Sequence, residues 1–109
     1  MSQFNSINRV ELQGRVGTVR ISPVVGAVVA SFSLLTEHPI VSAEGCRLVE
    51  STWHNCAAFE GGEVCLEGLT KGVLVNVTGR LRTAKYTAAD GTERTFTEVI
   101  AHSLKVLEE

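Results

Sequence analysis

Trp53 and Phe59 stand six positions apart, an even step, so an extended Thr52–Phe59 segment projects both rings from one face of a strand. Asn55 and Ala57 fall between them on that face, and His54, Cys56 and Ala58 fall on the other. Tyr86 shares parity with Arg80 and Arg82, and residues 71–96 add Lys71, Lys85 and Arg94 against only Asp90 and Glu93. Rings with free faces stack on flat heterocycles, and cations beside them hold phosphates. This is chemistry suited to an unpaired nucleic-acid strand, where stacking supplies about 1–3 kcal/mol per base without reading sequence.

Other reactive constellations are missing. Asp90 is the sole aspartate and is claimed by a turn, so no strand offers the clustered carboxylates of a two-metal nuclease. Glu60 and Glu63 flank an expected helix start, where the helix dipole favours negative charge. His38, His54 and His102 lack metal-ligand spacing, and His54, opposite Trp53, reads as a packed histidine at an interior or subunit contact. There is neither a nucleophile elbow nor a phosphate-binding loop. The expectation is no enzyme, no cofactor and no metal.

The elements that must position these residues follow from period-two patterning. Val10, Leu12 and Val16 alternate with Glu11, Gln13 and Arg15, which reads as a half-buried first strand. After the Pro23–Gly26 punctuation, Val28, Ala30, Phe32 and Leu34 repeat the pattern in a second strand ending near Thr36. His38–Glu50 has no period and reads as a long loop; Thr52–Phe59 is the third strand. Residues 63–69 have apolar side chains at helical spacing with Gly68 or Gly72 as a stop, and predict a short helix. Val73, Val75, Val77 and Leu81 mark the fourth strand. Asp90-Gly91 predicts a hairpin turn with positive φ at both residues, leading into a fifth strand. The order predicts an all-β, five-stranded OB-type Greek-key barrel with one short helix between strands 3 and 4 and a protruding hairpin of strands 4 and 5.

With 109 residues the chain is long enough for one domain, read as residues 1–109. The Met1–Ile7 start has no export-signal character, and no apolar run approaches a membrane-spanning helix. Cys46, Cys56 and Cys65 suit reduced thiols in a cytoplasm. The net charge of -2 means that electrostatic binding must rest on local distribution. Arg9, Arg15 and Arg20 face only Glu11 in residues 1–36, six glutamates face Arg47 in residues 37–70, and the five cations named above dominate residues 71–96.

Thr52-Trp53-His54-Asn55-Cys56-Ala57-Ala58-Phe59, Gly79-Arg80-Leu81-Arg82-Thr83-Ala84-Lys85-Tyr86-Thr87, Asp90-Gly91 and Thr97-Glu98-Val99 resemble the bacterial single-stranded DNA-binding proteins. Asn8–Gly17 is similar to that family's first strand. The resemblance implies an OB fold, mostly homotetrameric, that wraps single-stranded DNA in replication, recombination and repair, cytoplasmic and nucleoid-associated. It implies base stacking by Trp53, Phe59 and Tyr86, basic contacts by Lys71, Arg82, Lys85 and Arg94, and a subunit contact at His54. Arg15 and Arg80 join the expected DNA-binding set by charge and position.

Departures from the family are Ile40 in place of an aromatic, Asn55 and Ala84 in place of basic residues, and a shorter loop after Gly17. The family's flexible tail with its acidic tip, which recruits other replication proteins, is missing by this reading. A second expectation is therefore a tailless, usually dimeric, primosomal replication-type helper; a third is an interaction module that has lost DNA binding.

Overall fold

A computed structural model describes residues 5–24 and 26–108; sequence readings that touch Met1–Phe4, Val25 or Glu109 lie outside the described residues. Five strands, β1 (Val10–Val24), β2 (Ala27–Val41), β3 (Arg47–Phe59), β4 (Leu74–Thr87) and β5 (Glu93–Glu108), close a barrel in the order β1-β2-β3-β5-β4. The β3–β5 joint is parallel and the other pairings are antiparallel. This is the closed all-β barrel of the OB type expected from the strand pattern.

Alternation decides what goes inside. Ala30, Phe32 and Leu34 of β2, Cys56 and Ala58 of β3, and Val75 and Val77 of β4 are buried in one core with Val16, Val99, Ala101 and Leu104. Their sequence neighbours Ser31, Ser33 and Asn55 line the outer surface. Residues of period two on strands of a closed sheet have no other arrangement that hides the apolar half.

The segment between β3 and β4 differs from the expected helix. It contains only turns and isolated bridges, Gly61 to Val64 and Val64 to Leu104. Gly61, Gly62, Gly68 and Gly72 all adopt positive φ, which leaves too short a helix-compatible stretch to repay nucleation. Val64, Leu66 and Leu69 are buried, so the segment packs its apolar side chains into the core without helical periodicity.

The expected long loop at His38–Glu50 is also replaced. β2 continues to Val41 and β3 begins at Arg47, with pairing unbroken from Val29↔Phe59 to Val41↔Arg47. Only a tight turn closes this hairpin: Gly45 N–H donates to the Ser42 carbonyl (2.9 Å) and Cys46 N–H to Ser42 Oγ (3.1 Å). Backbone ladder bonds hold this arm although most of its side chains are exposed, so hydrophobic period carries no trace of it. β1 likewise runs beyond Val16 to Val24, past an irregularity between Val16 and Val19.

β4 and β5 form the second long hairpin, paired out to Thr87↔Glu93. At its tip only Gly91 has positive φ, because Asp90 caps the loop instead: its Oδ1 accepts the Thr92 N–H at 2.9 Å. That bond holds the Asp90 carboxyl below the usual carboxylate range.

Candidate nucleic-acid interface

The outer face of β3 carries Trp53, Asn55, Ala57 and Phe59 in register with β2 partners Leu35, Ser33, Ser31 and Val29. Trp53 is 59% exposed and Phe59 49%. At strand rise, the two rings sit about 20 Å apart along the surface. Leu35 in turn opposes Arg15 of β1, and Ser31 opposes Arg20, so cations border the face.

The Trp53 ring lies over Gly17. A Cβ on that glycine would come within 2.5 Å of Trp53 Cζ3 and 2.6 Å of Ser33 Oγ. Gly17 sits in the β1 irregularity, where Thr18 N–H donates to Ser33 Oγ at 2.9 Å. Beside it the Val16 carbonyl accepts the Gly72 N–H, and Arg15 donates to the Gly72 carbonyl at 3.3 Å, which brings the exposed Lys71 segment to the same edge.

The β4–β5 hairpin supplies the second wall. Arg82, Ala84 and Tyr86 pair with Glu98, Phe96 and Arg94, and alternation puts all six on one face. Tyr86, 47% exposed, meets Phe96 edge to face with centroids 5.7 Å apart at 65°. Between the walls runs a groove of about 510 Å³, lined by Thr18, Arg20, Ser33, Asn55, Phe96 and Glu98 among others. A smaller recess of about 200 Å³ continues past Trp53, Asn55, Leu81 and Glu98.

The cations are not equivalent. Arg82 Nε donates to Glu98 Oε1 at 3.1 Å and its Nη2 bonds the same oxygen; the Arg82 side chain is 53% exposed and that of Glu98 only 11%. The Glu98 charge is felt in the core, where burial first and Glu98 second push the Cys56 thiol up to about 12. Lys85 projects from the face opposite Tyr86, 4.0 Å from Glu93, with both side chains 72% exposed. Arg80 faces His102 Nε2 at 3.5 Å. Among the described residues Lys71, Arg20 and Arg94 form no ion pair. His54 lies half-buried on the side away from Trp53, its Nε2 2.8 Å from Thr36 Oγ1.

Phe96, Glu98 and Arg20 line the groove but are not among the site residues expected from the sequence. The first two become visible only when the hairpin register is fixed. A charge tally divided at residue 96 separates Glu98 from the Arg82 it neutralises. Among the described residues no three His, Cys, Asp or Glu side chains converge on a potential metal position.

The model of the single-strand binding protein family matches residues 7–107. The chain belongs to that family. Single-strand binding proteins bind single-stranded DNA and are not enzymes. The chain is 36% identical over 106 residues to the single-stranded DNA-binding protein of Neisseria meningitidis, covering 94% of this chain and 60% of the relative. It is 34% identical over 104 residues to that of Xanthomonas campestris, covering 93% and 60%. The chain thus spans about three-fifths of the length of these curated relatives. The fold superposes on the Plasmodium falciparum protein solved in complex with single-stranded DNA with a TM-score of 0.82 at 30% identity, over 98% of this chain and all of that one. A Thermus aquaticus single-stranded DNA-binding protein shares the fold at a TM-score of 0.76 and 22% identity, over 94% of this chain and 51% of the other. Among the described residues no helix is long and apolar enough to cross a membrane.

Proposed function

We propose that the chain binds single-stranded DNA, without strict sequence requirement, along the groove between the outer face of β3 and the β4–β5 hairpin. Exposed rings of Trp53, Phe59 and Tyr86 on surfaces edged by cations carry this reading: each ring costs solvation to leave bare, and an unpaired base covers it. Family membership and the DNA-bound state of the Plasmodium neighbour support the same ligand. Arg94, Arg20, Lys71 and Arg15 track the phosphates most directly, with Arg80, Arg82 and Lys85 contributing from the hairpin.

By family likeness the chain acts as one DNA-binding domain in a cytoplasmic homotetramer serving replication, recombination and repair. His54, on the face turned away from the groove and tied to Thr36, sits at a contact between subunits.

Trp53 is the only tryptophan, so its emission reports the groove. Titration with oligo-dT quenches it, duplex DNA of the same length does not, and affinity falls as salt rises because counterions are released. Unchanged emission, with no retention of the oligonucleotide at low salt, overturns the proposal.

A further inference from the structure

Phe59 ends β3 with an exposed ring, and the seam that pairs Ala57 with Ile100 and Ala58 with Ala101 brings His102 of β5 level with it. His102 is the extra residue of a bulge: Gly79 of β4 pairs with Ala101 and Thr78 with Ser103, which leaves His102 without a partner on that strand. Gly79 admits the close approach of β5 at this point, since a Cβ there would lie 1.9 Å from the Ile100 carbonyl oxygen. Bulges re-aim side chains, and this one sets the exposed His102 ring against the exposed Arg80 guanidinium, with Nη1 and Nε2 3.5 Å apart.

That contact depends on charge. A guanidinium has no acceptor, so Arg80 can donate to Nε2 only while His102 is neutral with its proton on Nδ1. With a second proton on the ring, imidazolium and guanidinium are two cations side by side, and among the described residues no acid pairs with either. On β1, Arg9 stands level with Arg80, between Val10, which pairs with Gly79, and Asn8, whose side chain bonds the Leu81 backbone. The next charge along β5 is Lys105, paired with Asn76. Toward β3 the neighbour is the apolar Phe59, and Glu60 and Glu63 beyond it form no ion pair. Histidine changes charge between pH 5 and 8. An anion between the two rows of N–H groups relieves their repulsion, and the backbone phosphate beside a base stacked on Phe59 supplies one.

We propose that Arg80 and His102 form a proton-linked phosphate site at the Phe59 end of the DNA path, His102 taking its proton from solvent as the phosphate binds. The inference rests on the single-stranded DNA reading and adds a pH-dependent contact to it.

Oligo-dT binding is measured by Trp53 quenching across a range of salt at pH 6 and pH 8 on the wild-type chain, H102N and H102K. Wild type is expected to bind about fivefold more tightly at pH 6 than at pH 8, with a slope of log affinity against log salt steeper by about one. H102N, uncharged at both pH values, loses most of both differences, and H102K, charged at both, keeps the steeper slope throughout. On the wild-type chain alone, the His102 ring resonances titrate at higher pH with oligo-dT bound than without; this arm stands even if a variant fails to fold. A pH response that H102N leaves intact, or a His102 titration that oligo-dT does not move, overturns the inference while leaving single-strand binding intact. So does a change in subunit number between pH 8 and pH 6 that H102N abolishes, because the pair would then serve a subunit contact. Absence of binding at both pH values in low salt overturns the single-strand reading, and this inference with it.

Discussion

The Trp53 indole rests on Gly17, and the fit leaves no room for a methyl group on the glycine: Cζ3 and Cη2 would lie 2.5 and 2.8 Å from it. The lack of a side chain at this point of β1 therefore lets the ring on β3 lie close against the sheet. Gly17→Ala is expected to lift the indole and weaken oligo-dT binding by about 1–3 kcal/mol, the value of one stacked base. Fluorescence titration reads the loss and the free-state emission maximum reads the displaced ring. A G17A chain with wild-type emission and affinity would show that the ring position is immaterial.

Salt dependence separates the cations. Arg94 stands opposite Tyr86 without an ion pair, while Arg82 is neutralised by Glu98. Arg94→Gln is expected to reduce the slope of log affinity against log salt by about one, the signature of one lost phosphate contact. Arg82→Gln reduces it by less, because an arginine already paired releases fewer counterions. Equal slopes for the two variants would mean that DNA pulls Arg82 off its carboxylate.

Burial raises the Cys56 thiol from 9.0 to about 12, with Glu98 adding to the rise. In the unfolded chain the thiol ionises near its ordinary value, so the stabilisation is full below pH 9 and is lost as pH climbs toward 12. Thermal denaturation is expected to show Tm falling above pH 9, with a shallower fall in Cys56→Ala. A wild-type and a variant curve of the same steepness would remove Cys56 as the cause.

Much of the site was legible because it obeys parity. Trp53, Asn55 and Phe59 lie on the outer face of β3, and Cys56 and Ala58 lie in the core, as alternation requires. Parity fails where backbone bonds, not burial, define an element: the arm of Ile40 and Leu48 pairs through its ladder while most of its side chains remain in solvent. It fails again after Phe59, where apolar spacing suggested a helix but the left-handed glycines impose turns. The Arg82–Glu98 and Tyr86–Phe96 contacts were hidden for another reason. They depend on which residue faces which across a hairpin, and that register is set by the loop around Asp90, whose geometry departs from the simplest two-residue turn.

The parallel joint of β3 to β5 consists of Cys56, Ala57 and Ala58 against Val99, Ile100 and Ala101. Each long hairpin can zip from its own turn, since its partners are neighbours along the chain, whereas this seam must gather segments separated by the whole of β4 and pays the larger loop-closure entropy. Asn55 stands on one side of the seam and Glu98 and Phe96 on the other. A chain whose hairpins have formed but whose ring is still open therefore has rings and charges without a cleft between them, and competence to hold a strand arrives only with the last closure of the barrel.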